Sequence, residues 1–169
     1  MRISLTTSAI IIFLTMAAFS PKNGLIVTSA SFGNNGLIPL KYSCEGAQVS
    51  PPLHIGNIPA EAKSLALIVH DPDAPIKGGF THWVLWNIDV NGDIPEGFGG
   101  GIAGLNGAQQ NKYYPMCPPS GTHHYHFMVY ALDTKLQLSN ITNRAGLEHA
   151  IQGHILAEGE LVGLYKKMK

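Results

Sequence analysis

Short apolar runs, each bounded by glycine, proline or asparagine, alternate with polar loops along most of this chain. Runs of this kind, when they are rich in β-branched and aromatic residues, are typical of β-strands. The segments that fit the pattern and predict strands are Leu25–Ser29, Leu65–His70, Trp83–Ile88, Tyr125–Leu132 and Gly159–Tyr165. Strands this short, separated by turn residues, favour an antiparallel sheet architecture over one built from long helices.

One helix is predicted late in the chain, over Asn143–Ile151. Thr142 can serve as its N-cap, and Leu147 lies four residues before Ile151 on the same face. Gly153 can end the helix in a left-handed conformation. A single late helix among strands and turns predicts a mainly β fold with a small C-terminal helical addition.

The first twenty residues have a different composition from the rest of the chain. Arg2 supplies one positive charge, and the following residues, Ile3 to Phe19, carry none and end in small residues at Ala17 and Ala18. A charged start, an apolar run and small residues are typical of a secretory signal. Two alternatives stay open: the segment is an uncleaved membrane anchor, or it is neither a signal nor an anchor. We therefore predict a signal peptide over residues 1–20, one domain over residues 21–169, and a periplasmic or secreted protein.

The charge balance narrows the classes of partner. Lys plus Arg (11) equals Asp plus Glu (11) in 169 residues. A chain without net charge has no field to attract nucleic acid or an anionic membrane nonspecifically, so no nucleic-acid partner is predicted.

The first unusual segment places two acids at the end of an apolar strand. Asp71, Pro72 and Asp73 follow directly after Leu65–His70, and Pro75 stiffens the loop again. Proline cannot donate a hydrogen bond within a sheet, so the strand should stop there with both carboxylates at its end. An ordinary turn whose carboxylates accept from backbone N–H groups is the alternative interpretation.

Histidines mark the other two segments. His82 opens an apolar strand, where a buried and hydrogen-bonded core histidine is the simpler interpretation. Pro119 and Gly121 define a turn that leads into a histidine-rich strand. Because side chains alternate along a strand, His123, Tyr125 and Phe127 should share one face, with His124 and His126 on the other. Such a strand can belong to a metal site, a solvated surface or the wall of a polar pocket.

Taken together and in order, these segments resemble the phosphatidylethanolamine-binding protein family, in its bacterial kinase-inhibitor-like branch. The matching residues are Asp71-Pro72-Asp73-Ala74-Pro75, Thr81-His82-Trp83-Val84 with Asn87, and Cys117-Pro118-Pro119 with Gly121-Thr122-His123, Tyr125 and Phe127. The resemblance extends from about Ile26 to Tyr165. It implies a Greek-key antiparallel β-sandwich with a small anion pocket. It also implies that Asp71, His82, His123 and Tyr125 line the pocket, and that Pro72, Asp73, Pro119 and Gly121 shape its mouth.

The chain departs from the family pattern at two places. Pro115-Met116 stands where relatives usually have Gly-Pro, and a proline there removes a backbone donor at the pocket rim. His124 stands where relatives usually have arginine, so a permanent charge becomes a titratable one.

The implied pocket has a simple chemistry. A phosphate or headgroup needs hydrogen-bond donors, and His82, His123 and Tyr125 are expected to supply them. Asp71 is expected to accept from a histidine N–H and to fix its tautomer. The ligand is therefore expected to be a small anion or a phospholipid headgroup, bound without a cofactor and without catalysis. A kinase or protease target and a homodimer are family-level alternatives for the partner.

These segments leave one alternative function open, and a separate glycine run suggests a second one only weakly. A metal-assisted hydrolase that uses Asp71, Asp73, His82 and His123 is the alternative, because carboxylates and imidazoles bind zinc. The glycine run Gly97–Gly101 lacks the Gly-Lys-Ser/Thr ending of a phosphate loop, and we interpret it as a flexible hairpin loop.

Cys44 and Cys117 are the chain's two cysteines. In an oxidising compartment such a pair is expected to form a disulfide, unless the two thiols lie too far apart to react.

Overall fold

The computed structural model describes residues 24–168, which form nine strands, one α-helix and one 3-10 turn. The strands are β1 (Ile26–Thr28), β2 (Gly36–Leu37), β3 (Leu53–Gly56), β4 (Ser64–Asp71), β5 (Phe80–Ile88), β6 (Asp93–Ile94), β7 (Ile102–Ala103), β8 (Thr122–Leu132) and β9 (Ile155–Lys166). The helix α1 covers Arg144–Ala150, and the 3-10 turn covers Leu40–Tyr42. The predicted signal peptide, residues 1–20, lies outside the described residues.

The strands form two sheets. The larger has six strands in the order β2-β9-β8-β4-β5-β7, and the smaller has three in the order β1-β3-β6. Neighbouring strands are antiparallel except β2 and β9, which are parallel. The prediction of a mainly β fold with one helix is confirmed, whereas the Greek-key description of the connections stays a prediction.

Strand β4 is buried along its whole length because both faces of the larger sheet are covered. On one face Leu65, Leu67 and Val69 belong to a core that includes residues of the small sheet, such as Ile55 and Ile94. On the other face, a second core packs residues of β4 and β5 against α1 and its flanking segments; it comprises Ala66, Ile68, Val84, Trp86, Leu132, Leu136, Leu147 and Ile151. Double coverage explains why Leu65–Val69 is a continuous apolar run and not an alternating one.

The helix differs from its prediction at both ends. Asn143, not Thr142, is the N-cap, and its side-chain oxygen accepts from the backbone N–H of Gly146 at 3.1 Å. Asparagine and threonine are both good caps, so the sequence alone could not choose between neighbours. The helix is followed by β9, which contains the strand predicted over Gly159–Tyr165.

The glycine run Gly97–Gly101 is not a hairpin loop. It connects β6 of the small sheet to β7 of the large sheet, so the two flanking strands do not pair. The prediction was wrong because β6 and β7 have two residues each, too few to show which strand pairs with which.

No helix in residues 24–168 has the length and hydropathy that a membrane crossing requires.

Candidate functional site

A cavity of about 310 Å³ lies where β4 ends and where β5 and β8 begin. Three parts of the chain surround it: these strand ends, the loop of residues 72–79, and the loop of residues 104–121. The lining residues are Asp71, Phe80, His82 and Tyr125 from the strands, Ala74, Pro75 and Ile76 from the first loop, and Tyr114, Cys117, Pro118 and Pro119 from the second. The three separate motifs of the sequence therefore meet in one place.

A bulge in β5 places His82 in this cavity. Val69 of β4 pairs with Trp83, but the next residue, His70, pairs with Thr81, so His82 is an extra residue with no partner across the strands. Strict alternation would put His82 and Trp83 on opposite faces. The bulge turns both inward, so that Trp83 joins the core while His82 lines the cavity.

His82 is held in one tautomer. Its Nδ1–H donates to the backbone carbonyl oxygen of Tyr114 at 2.8 Å, because a carbonyl can only accept. Burial lowers the pKa of His82 to about 4, against the weaker raising effects of the Tyr114 carbonyl and of Asp71. The imidazole is therefore neutral near pH 7, and Nε2 carries a lone pair that no group in residues 24–168 satisfies. The expectation that His82 donates to an anion stays a prediction, and in the ligand-free protein the one N–H of the neutral ring is already used on Tyr114.

Asp71 and His123 form a buried pair at the inner end of the cavity. His123 Nδ1 lies 2.7 Å from Asp71 Oδ2, and the two side chains are 8% and 4% exposed. The other oxygen, Oδ1, accepts from the backbone N–H of Asp73 at 2.9 Å. Asp71 thus accepts from a histidine, as the sequence argument expected. His123 itself lies outside the cavity lining, so it acts on the site through Asp71.

Tyr125 lines the cavity with a hydroxyl that lacks a partner. The residue is completely buried, and within residues 24–168 nothing hydrogen-bonds its hydroxyl oxygen. Burial, with a smaller contribution from Asp71, raises the pKa of Tyr125 well above its ordinary value, so the hydroxyl keeps its proton. Its ring packs edge-on to that of His82, with centroids 5.2 Å apart. A buried unpaired hydroxyl costs about 1–3 kcal/mol, which a ligand in the cavity could recover.

One of the four residues predicted to shape the mouth of the pocket belongs to the cavity lining. Pro119 lines the cavity, whereas Pro72, Asp73 and Gly121 do not. Asp73 Oδ2 accepts from both the backbone N–H and the ring Nδ1 of His124, at 2.8 and 2.7 Å. These bonds lower the pKa of Asp73 and fix the loop of residues 72–79 to β8. The His124 departure therefore affects how this loop is held and not the cavity wall.

Two aromatic residues of the site were missed by the sequence reasoning. The Phe80 ring lies 4.9 Å from that of His82 and 5.1 Å from that of Tyr114. Phe80 could have been found, because it lies two residues before His82 and residues two apart in a strand share a face. Tyr114 lies in an irregular loop of the chain and carries no periodic signal.

The second departure, Pro115-Met116, lies beside the two cysteines. Cys44 and Cys117 are joined by a disulfide in the structure, with their Cα atoms 5.4 Å apart. Met116 is completely buried, and its carbonyl oxygen accepts from the backbone N–H of Cys44 at 3.0 Å. Both bonds fix the loop of residues 104–121, and with it one wall of the cavity, to the rest of the domain.

The metal-binding alternative finds no geometric support. In the part of the chain that the structure describes, no three His, Cys, Asp or Glu side chains are grouped so that they could hold a metal ion.

The cavity, its motifs and the two sheets can be compared with known proteins. The family model described as phosphatidylethanolamine-binding protein matches residues 28–166, which is most of the chain. The chain belongs to the phosphatidylethanolamine-binding protein family. Membership places it among ligand-binding proteins in general.

Relatives of this phosphatidylethanolamine-binding protein family member are found in archaea and bacteria. A UPF0098 protein of Pyrococcus abyssi is 48% identical, over 85% of this chain and 86% of the relative. A solved phosphatidylethanolamine-binding protein homolog from Chlamydia trachomatis is 41% identical, with a TM-score of 0.83 over 86% of this chain and 99% of that one. Escherichia coli YbcL, described as a member of the mammalian family, is 28% identical, with a TM-score of 0.78 over 85% and 99% of the two chains.

Proposed function

We propose that the cavity binds a small ligand through a phosphate group, either as a free phospho-compound or as a phospholipid headgroup, without acting on it chemically. The observation that carries the proposal is the Tyr125 hydroxyl, which is buried, protonated and unpaired at the cavity wall. A phosphate oxygen is a strong acceptor and would supply the missing partner.

The walls of the cavity would strengthen such a contact. Phe80, Tyr114, Pro118 and Pro119 surround the polar groups with apolar surface. In surroundings of low dielectric constant a hydrogen bond to a charged oxygen is stronger than in water. The volume of about 310 Å³ lies at the lower end of the range for ligand pockets, which fits a headgroup or a small phospho-compound.

Negative charge in the ligand can be offset by one proton shared between the ligand and His82. A proton at Nε2 lies between the two while Nδ1–H stays on the Tyr114 carbonyl. This proton comes with the ligand or is taken up on binding, because His82 is neutral in the free protein near pH 7.

Calorimetric titration with inorganic phosphate and with phosphoethanolamine tests the proposal. We expect dissociation constants in the micromolar to millimolar range, or roughly −4 to −8 kcal/mol. Tyr125→Phe should weaken the binding of both ligands about tenfold or more, because one hydrogen bond to a charged oxygen is lost. The matched control is Tyr165→Phe, since the Tyr165 hydroxyl bonds Glu45 and Ser43 away from the cavity lining.

Equal affinities in the parent and Tyr125→Phe, with Tyr165→Phe also unchanged, would contradict the proposed site. Vesicles containing phosphatidylethanolamine separate the two sources of ligand. A lipid-binding protein should co-sediment with them and compete with free phosphoethanolamine, whereas a protein for soluble phospho-compounds should not co-sediment.

We also propose that the protein is exported. The support is the uncharged, apolar N-terminal run, together with two cysteines positioned to form a disulfide. Mass spectrometry of the protein recovered from an exporting host should find a mature start near Ala18 to Lys22. An intact Met1 in a membrane fraction would contradict this.

A further inference from the structure

The polar side chains of the cavity present more acceptors than an anion site normally has. Asp71 offers carboxylate oxygens, and His82 offers the lone pair of Nε2. Tyr125 is the buried donor, and the half-buried Tyr114 adds a hydroxyl that can donate or accept. No lysine or arginine is among the residues that line the cavity. Two fixed acceptors therefore stand opposite any ligand that occupies this space.

We propose that the cavity selects a phosphate group that carries a P–OH, as in inorganic phosphate or a singly protonated phosphomonoester, and rejects anions that can only accept, such as sulfate and the phosphomonoester dianion. The inference rests on the proposed function and specifies the protonation state of the phosphate group. In this form the P–OH group donates to His82 Nε2 or to Asp71. The other phosphate oxygens accept from Tyr125. Because the phosphodiester of a phospholipid has no P–OH, the inference favours the free phospho-compound of the two ligand sources.

Hydrogen-bond pairing explains why an anion without a P–OH should be rejected. The oxygens of such an anion would face the lone pair of His82 and the negative charge of Asp71 with no proton between them. An acceptor that is buried without a donor costs about 1–3 kcal/mol, and repulsion between like charges adds to this in a poorly hydrated site. Sulfate and phosphate have nearly the same size and shape, so packing contributes little to the difference between them.

No other group around His82 would reverse this preference. The charged and polar groups that act on it are Asp71 and His70 of β4, His123 and Tyr125 of β8, and Tyr114 of the loop of residues 104–121. Asp71 is the acid in this set, and burial lowers the pKa of His70 as it does that of His82. His123 is already hydrogen-bonded to Asp71, so it is not a separate cation for the ligand.

The unmodified protein provides the test. Phosphate and sulfate are titrated into it at about pH 6, and phosphoethanolamine is titrated at about pH 5 and at about pH 8, all at constant ionic strength. The last two pH values lie on either side of the second ionisation of a phosphomonoester, at about pH 6. We expect phosphate to bind about 10- to 100-fold more tightly than sulfate, as one recovered hydrogen bond in a buried site implies. Phosphoethanolamine affinity should fall at about pH 8, where the ligand has lost its P–OH, with close to one proton taken up per ligand bound.

The possible outcomes are distinguishable. Sulfate binding as tightly as phosphate would overturn the inference and leave the proposed anion site standing. Phosphate and phosphoethanolamine both failing to bind would overturn the proposed function and the inference with it. Phosphoethanolamine affinity that does not change between the two pH values would also overturn the inference.

Two histidine-to-asparagine variants test whether His82 is the residue that distinguishes phosphate from sulfate. In His82→Asn the amide N–H can replace Nδ1–H at the Tyr114 carbonyl, while the Nε2 lone pair is lost. The ratio of the phosphate affinity to the sulfate affinity should then decrease toward one. His54→Asn, which changes a histidine that is 64% exposed and far from the lining, should leave the ratio unchanged. A ratio that stays the same in both variants would remove His82 from the mechanism.

Discussion

Asp71 and His123 are 52 residues apart in the chain, yet Asp71 Oδ2 and His123 Nδ1 lie 2.7 Å apart at the end of the cavity. The pair joins the end of β4 to the start of β8. Residues 24–168 contain four other histidine–carboxylate pairs, and every side chain in those is at least 29% exposed. The Asp71–His123 pair is therefore the one whose loss should be felt most strongly.

Asp71→Ala should lower the free energy of unfolding by about 3 kcal/mol or more, because it leaves His123 buried without its partner. Urea unfolding at neutral pH measures the change. Asp93→Ala is the matched control: it removes the carboxylate of the exposed His54–Asp93 pair and should cost less than about 1 kcal/mol. Similar losses in the two variants would mean that the buried pair contributes no more than a surface one.

His82 should make the fold less stable in acid. Its pKa is about 4 in the folded protein and near its ordinary value of 6.5 when unfolded, so between these values the unfolded chain binds more protons. Acidification from about pH 6.5 to about pH 4 should therefore remove stability, by about 3 kcal/mol from this group, and the loss should level off below pH 4.

The measurement is urea unfolding across this pH range for the parent and for His82→Asn, which lacks a group that titrates there. The variant should lose less stability on acidification than the parent, and His54→Asn should behave like the parent. Identical pH profiles in the parent and His82→Asn would contradict the lowered pKa.

Tyr125→Phe should leave the ligand-free protein as stable as the parent or raise its stability by up to about 1 kcal/mol, since the hydroxyl has no partner to lose. Tyr165→Phe should instead lower the stability by about 1–2 kcal/mol, because its buried hydroxyl bonds Ser43 and Glu45. Thermal unfolding of both variants without ligand gives the comparison. A large loss in Tyr125→Phe would show that the hydroxyl is already satisfied.

The exported protein should contain no free thiol. Cys44 and Cys117 are 73 residues apart in the sequence. Closing a loop of this length lowers the chain entropy of the unfolded state, so the disulfide should stabilise the fold by about 4 kcal/mol. Thiol titration of the unreduced, denatured protein should therefore find none, and reduction should lower the unfolding midpoint. Two reactive thiols per chain would contradict the prediction.

Much of the framework could be predicted from the sequence, because it depends on local patterns. Alternation along β8 correctly put His123, Tyr125 and Phe127 on the buried face and His124 outside. The proline after Asp71 correctly marked the end of β4. These features follow from the period of a strand and from the missing N–H of proline, which are properties of the chain itself.

The polarity of the site could not be predicted, because it depends on contacts between distant segments. The tautomer of His82 is set by the carbonyl of Tyr114, 32 residues away in an irregular loop. The bulge that turns His82 inward is visible in the pairing of β4 with β5 and not in either strand alone. Sequence reasoning could therefore single out this histidine but could not assign the hydrogen-bonding roles of its two ring nitrogens.

The central claim is that phosphate binds beside His82 and Tyr125. Its most direct test is nitrogen NMR of the histidine rings during a phosphate titration of the protein. The account predicts that the Nε2 resonance of His82 shifts in proportion to occupancy as its lone pair accepts the hydrogen bond of the bound phosphate, while the resonances of the exposed His54 and His154 do not change. Saturable phosphate binding with no change at His82 would contradict it.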